Sequence, residues 1–301
     1  MAVAEFEEKE YECFLYSQLL HGSRNVWSPG QVLESAVGLD YAMFTAHALF
    51  WGIHKYEQHL PGVVLDDEPM KHWWGHRVSQ RQMPDFSLNL FLQAKRPSGG
   101  KRVSKALATA GLKSPYWKFN LTDHQQAALQ SLARAAAGRA LVCYAAPAFD
   151  RYTALYAHNR AGTMVSASTF PSALALSAHD TWYYDAPGCS GVANPVIERI
   201  DEPPLGERIA ALVAEAGDRS NSRAANGYGI KELAASIAEA LEADGVGDTS
   251  RAAVYFDQMR QLDTYLDFQR PIRNVDLIRS FLAVAVFARN FQLRWYVLGQ
   301  A

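Results

Sequence analysis

Apolar and polar positions along this chain switch between two periods, and the switches mark the elements. Residues 5–20, ending in CFLYSQLL, carry apolar side chains at helical spacing and predict a short amphipathic helix. The polar loop HGSRNVWSPG follows, and Ser28 ahead of Pro29 is a good helix start. GQVLESAVGLDYAMFTAHALFWGIH is long, apolar and helical in period, with Gly38 placed to split it. Residues 60–84 are rich in Pro, Asp and His and predict loop. LNLFLQAK, at 88–95, then reads as a strand, ended by Pro97-Ser98-Gly99-Gly100. Residues 101–112 predict a short basic helix, and YWKFNL, at 116–121, a second strand. Thr122 or Asp123 caps a helix, HQQAALQSLARAAAG, which closes at Gly138. ALVCYAA, at 140–146, is a buried strand by its unbroken apolar run.

Residues 150–204 are mixed, with turns at Pro187-Gly188 and Asn194-Pro195. After Pro203-Pro204 the pattern is helical. Residues 205–242 predict helices separated by the loop 217–229. Two more helices follow, RAAVYFDQMRQLDTYLDFQ and VDLIRSFLAVAVFARNFQLRWYVL, broken at Pro271. The order predicts an α/β core over residues 1–204 and a helical C-terminal region over residues 205–301.

Composition narrows the class. Of 301 residues, 49% are hydrophobic, enough to bury a real core, and the formal charge of -2 gives no global basic field. The three cysteines, Cys13, Cys143 and Cys189, are far apart and form no CxxC pair, which argues against a disulfide framework and fits a cytoplasmic protein. The N-terminal MAVAEFEEKEYE lacks the basic-then-apolar order of a signal peptide, and the run Phe281–Phe287 is too short to span a bilayer. There is no Walker A loop, Rossmann glycine fingerprint or G-x-S-x-G elbow, so nucleotide cofactors and serine hydrolysis are not indicated.

The candidate chemistry lies in PDFSLNLFLQAKRP, Pro84 to Pro97. On a strand, residues two apart share a face, so Gln93 and Lys95 point one way while Leu92 and Ala94 point into a core. An oxygen ligand beside an ammonium suits phosphodiester hydrolysis, in which a divalent cation stabilises phosphate charge and acidifies a water. Asp85 is the candidate second oxygen ligand. It precedes Gln93 by eight residues, about 26 Å on an uninterrupted strand. The two meet through a tight hairpin centred on Asn89; without one, the acid is Asp66, Asp67 or Glu68.

Pro84-Asp85 with Gln93-Ala94-Lys95 resembles the PD-(D/E)XK nuclease superfamily, in its variants with Gln at the acidic position, as in Mrr-like restriction enzymes. The resemblance covers residues 25–150. It implies a restriction-endonuclease-like core, a mixed central sheet flanked by helices, and dependence on Mg²⁺ or Mn²⁺. It also implies an acidic residue on the preceding helix, for which Glu34 in SPGQVLES is the best match. Glu34, Asp85 and Gln93 would hold metal, and Lys95 would activate water or stabilise the transition state. The neutral Gln93 removes one negative charge from the usual pattern and implies a single or weakly held ion. The implied role is a DNA endonuclease of restriction or antiphage defence, with RNA as the other substrate. The contrasting expectation is a catalytically silent nucleic-acid-binding or scaffold subunit.

Between Lys95 and Lys118 there are seven basic residues and no acid: Lys95, Arg96, Lys101, Arg102, Lys105, Lys113 and Lys118. Such a stretch predicts phosphate contacts, with Tyr116 and Trp117 available to stack on bases. His124 and Gln125 open the next helix, beside the candidate site. His72 and His76 are spaced to share a helix face, but no third zinc ligand is apparent. His179, Trp182, Tyr183 and Tyr184 read as core. Leu277, Phe281, Val284, Ala288 and Phe291 form an apolar stripe expected to be core, any exposed remainder serving a homodimer or partner subunit.

Overall fold

The computed structural model describes residues 2–20, 89–220, 228–243, 249–268 and 275–297. The elements in chain order are β1 (Ala2–Val3), α1 (Glu8–Leu20), β2 (Asn89–Ala94), β3 (Ser98–Gly100), α2 (Lys105–Thr109), β4 (Tyr116–Asn120), α3 (Asp123–Ala135), β5 (Ala140–Pro147), α4 (Tyr152–Ala161), β6 (Ser168–Thr169), β7 (Thr181–Tyr184), β8 (Ser190–Asn194), β9 (Glu198–Asp201), α5 (Leu205–Ser220), α6 (Tyr228–Ala243), α7 (Thr249–Phe268), α8 (Val275–Asn290) and β10 (Arg294–Val297).

Two sheets organise the described residues, where the sequence predicts a single central one. The smaller runs β10-β2-β5-β6. Within it β2 and β5 are parallel, while β10 and β6 run antiparallel to their neighbours. The larger is antiparallel throughout, in the order β1-β3-β4-β7-β8-β9. The fold is therefore mixed α/β, with sheets flanked by helices.

Strand β2 is buried along its whole length. Leu90, Leu92 and Ala94 join one core with Tyr11 and Leu15 of α1, Leu155 of α4 and Leu205 of α5. Phe91 joins the other, with Leu129 and Leu132 of α3, Ile230 and Ile237 of α6 and Phe281 to Ala288 of α8. A strand covered on both faces needs the near-continuous apolar run LFL. The second core also takes the inner face of the larger sheet, Phe119, Trp182, Tyr184 and Ala193. Trp182 and Tyr184 are thus core, as expected.

The C-terminal region departs from expectation in two ways. The predicted last helix ends at Asn290; Gln292 takes a positive φ of 56°, and Arg294–Val297 returns as β10. That strand pairs antiparallel with β2, Arg294 opposite Leu92 and Val297 opposite Asn89. The expected division at residues 204 and 205 has one shared core on both sides of it, since β2, α3 and β5 pack with α6, α7 and α8. Every residue from Phe281 to Ala288 is buried, so this part of α8 offers no stripe to a second chain. No helix among the described residues is long and apolar enough to cross a membrane.

Candidate active site

The motif strand ends where β2 and β5 run side by side, at their carboxyl ends, where open α/β sheets place ligands. Gln93 sits opposite Tyr144 in the parallel register. Lys95 extends the pairing, its N–H donating to the Ala145 carbonyl at 2.8 Å. Alternation puts Gln93 and Lys95 on the α3 side of the sheet, as the pattern predicts. Their Cα atoms are about 7 Å apart at the rise of a strand.

Gln93 is only 2% exposed, and its Oε1 has no hydrogen-bond partner among the described residues. A buried acceptor without a donor costs roughly 1–3 kcal/mol, so it calls for an explanation. The Lys95 Nζ donates to Gln125 Oε1 of α3 at 3.1 Å and lies 5.6 Å from the centre of the Tyr144 ring. An ammonium carries three protons, so this one bond leaves donors for a ligand. Burial lowers the Lys95 pKa from its ordinary value, and the nearby Glu8 carboxylate opposes that shift. Burial raises the Glu8 pKa in turn, opposed chiefly by Lys95.

Helix α3 supplies the polar lining. Gln125 passes a second bond from Nε2 to Gln292 Oε1 at 3.3 Å, tying the lysine's partner to the turn before β10. The Tyr144 hydroxyl donates a short hydrogen bond to Gln126 Oε1. Gln126 Nε2 donates to the carbonyls of Ala173, at 3.2 Å, and Leu176, at 2.8 Å. Each polar atom named here except Gln93 Oε1 has a partner. Of the residues opening this helix, Gln125 reaches the site; the side chain of His124 lies outside the described residues.

The hairpin centred on Asn89 does not form. Asn89–Ala94 is one continuous strand, and both its edges are taken, by β10 and by β5. Asn89 itself pairs with Val297 and Ala140. Asp85, Glu34, Asp66, Asp67, Glu68, His72 and His76 all lie outside the described residues. Among the described residues no group of three or more His, Cys, Asp or Glu side chains is placed to hold a metal ion. Gln93 Oε1 is an acceptor without a donor among the described residues, and its chemistry suits a hydrogen-bond donor or a cation.

The basic stretch divides. Arg96 is engaged within the chain: its guanidinium pairs with Glu7 at 2.9 Å and donates to the Ala4 carbonyl at 2.6 Å. Tyr116 is 3% exposed and packs with Leu107, Leu112 and Val192, so it cannot stack on a base. Trp117 follows Tyr116 on the strand and therefore faces the other way, against the main core and 6.1 Å from the Tyr184 ring. Lys101, Arg102, Lys105 and Lys113 are exposed, as a phosphate-binding surface requires. Lys118 is half-buried, with Nζ 5.6 Å from the Tyr183 ring centre.

A second polar cluster escaped the sequence reading. Arg208 of α5 donates to Cys189 Sγ at 3.1 Å and Cys143 Sγ at 3.7 Å, makes a short bond to the Phe170 carbonyl, and lies 3.5 Å from Glu202. Burial pushes the Cys143 thiol up to about 12, opposed by Arg208. The cluster clamps α5 to β5 and the segment after β6. No family model, curated protein or solved structure matches the chain.

Proposed function

We propose that the chain is a metal-dependent nuclease acting on DNA, with RNA as the alternative substrate, and that its reaction centre is the Gln93–Lys95 end of β2. One observation carries this reading. At the carboxyl ends of two parallel strands, a desolvated ammonium stands beside a buried amide oxygen that has no donor among the described residues. Gln93 Oε1 would hold the cation together with Asp85 and Glu34. A bound Mg²⁺ or Mn²⁺ supplies Lewis-acid stabilisation of the phosphate and acidifies a water. Lys95, held by Gln125, directs its remaining protons at the phosphate or the attacking water and stabilises charge that grows in the transition state. Its lowered pKa also brings the neutral amine, which can accept a proton, closer to working pH. The resemblance to restriction enzymes extends the proposal to restriction or antiphage defence.

A specific observation favours a second reading, a catalytically silent nucleic-acid-binding or scaffold subunit: the described residues hold no carboxylate-rich group of metal-ligand size. Supercoiled plasmid and single-stranded DNA and RNA, incubated with Mg²⁺ or Mn²⁺, separate the two. The nuclease reading expects cutting by the wild type and a loss of roughly 10²-fold or more in Lys95→Ala. A wild type that cuts nothing leaves the silent subunit, and a variant that cuts as well as wild type removes Lys95 and this reaction centre.

A further inference from the structure

The larger sheet turns its apolar side to the core and keeps a polar side outward. Across that outer side the registers align Ser98, Lys118, Tyr183, Val192 and Arg199, one residue from each of five neighbouring strands. The row spans roughly 19 Å at the spacing of paired strands. Helix α2 covers its middle through Leu107, which packs with Val192. Beyond the end of α2 opens a cleft of about 670 Å³, lined by Gly111, Lys113, Ser114, Asp185 and Arg199 among others.

The cleft is built from defined contacts. Asp185 accepts the Lys113 backbone N–H at 2.7 Å, which fixes the segment bearing the Lys113 side chain. The Ser114 hydroxyl donates to the Lys101 carbonyl at 2.7 Å and holds the loop with Lys101 and Arg102 alongside. Arg199 pairs through Nε with Asp201 at 3.1 Å, which orients its two terminal nitrogens. One of these, Nη1, lies 3.8 Å from where a side chain at Gly111 would begin. Gly111, with φ of 89°, takes a backbone conformation that favours glycine and lies at ordinary contact distance from the guanidinium edge. Lys113 and Arg199 line the cleft, and Lys101, Arg102, Lys105 and Lys118 belong with Lys113 to the same acid-free stretch. Of the nearby carboxylates, Asp185 accepts the Lys113 backbone N–H and Asp201 pairs with Arg199.

We propose that this cleft and the adjoining outer face bind the phosphodiester backbone of a nucleic acid, with Lys113 and Arg199 contacting phosphates. Charge complementarity selects this occupant: two cations lining one cleft, with a flanking basic loop, match a polyanion of regular spacing. The proposal rests on the nuclease reading and extends it. Ser98, where the row begins, follows Lys95 by three residues, so their Cα atoms lie within about 11 Å of each other.

Binding of fluorescein-labelled 20-mer single-stranded and duplex DNA, followed by anisotropy in EDTA, tests the surface without cleavage. The double variant Lys113→Glu/Arg199→Glu is expected to bind at least tenfold more weakly than wild type. Its logarithmic salt slope for single strands should be smaller by about 1.4, two phosphate contacts fewer. Circular dichroism checks folding, and Lys113→Gln/Arg199→Gln replaces the pair under the same criterion if the glutamates disturb it. Unchanged affinity and slope overturn the proposal, as does a wild type that binds neither DNA. Equally tight binding of an acidic peptide of matching charge overturns it too. A binding defect in the variant, with a wild type that never cuts plasmid, removes only the nuclease reading. Cutting that needs Lys95, with binding untouched by the variant, removes only the surface.

Discussion

Strand β2 treats buried polar groups differently at its two ends. At its start, Asn89 is fully buried and satisfied: Oδ1 accepts from Trp295 Nε1 at 2.9 Å, and Nδ2 donates to the Arg139 carbonyl at 3.3 Å. At its finish, Gln93 Oε1 has no donor among the described residues and Lys95 keeps a depressed pKa. Both amides belong to the same face of the same strand, four residues apart, so local propensity does not explain the difference. Asn89 joins three segments of the fold, while Gln93 leaves an acceptor unmet. Stability given up at Gln93 accords with the reaction centre proposed there.

The largest effect expected from breaking this contrast is at the satisfied end. Asn89→Leu strands the indole N–H of Trp295 and takes from the Arg139 carbonyl one of its two donors, the Asn89 backbone N–H remaining, and urea unfolding should show a loss of about 2–3 kcal/mol. A midpoint equal to wild type would mean that this end is no more committed to stability than the other. Tyr144→Phe comes next. It removes the donor to Gln126 Oε1 and should cost about 1–2 kcal/mol in the same assay; no loss would show that the lining of α3 tolerates an unmet acceptor. Gln93→Leu should move stability by no more than about 1 kcal/mol, and upwards, because it deletes an acceptor that has no donor. A loss of about 2 kcal/mol or more would instead mean that the segment before β2 satisfies Gln93 in the folded chain.

The smallest effect is a pH dependence. Burial lowers the folded-state pKa of Lys95, so the unfolded chain binds the proton more readily. The resulting penalty is full below the folded pKa, shrinks as pH rises through it, and vanishes above the ordinary value of 10.5. Wild-type stability should therefore rise relative to Lys95→Met across the alkaline window below 10.5. Parallel pH profiles of the two proteins would refute a depressed Lys95 pKa.

Much of the local structure was legible in the sequence. LNLFLQAK, YWKFNL, the HQQAALQSLARAAAG helix and ALVCYAA appear as β2, β4, α3 and β5, because each has a clean period and a punctuated end. Pairing was not legible. The period of a strand fixes which residues share a face, and says nothing of which strands take its edges. That is why an Asn89 hairpin was a sound geometric expectation and yet fails, both edges of β2 being filled by β5 and β10. β10 itself was hidden at the end of a long apolar helical run, although Arg-Trp-Tyr-Val after Asn290 is a strand-forming tetrapeptide. Gln125 was visible only as a helix opener, since its contact with Lys95 spans 30 residues and depends on the crossover from β2 to β5. The Arg208 cluster had no local signal at all, its partners coming from β5 and from the segments that follow β6 and β7.

The closing of β2 by β10 has a consequence for how the chain is made. Trp295 reaches Asn89 across 206 residues. At ordinary rates of synthesis, about 5–20 residues per second, roughly 10–40 s separate the emergence of the two strands. For that interval a flat, apolar strand waits with one edge uncovered, the geometry that recruits strands from other chains. Successful biogenesis of this protein is then a race between the arrival of its last strand and capture of the waiting edge by a neighbour.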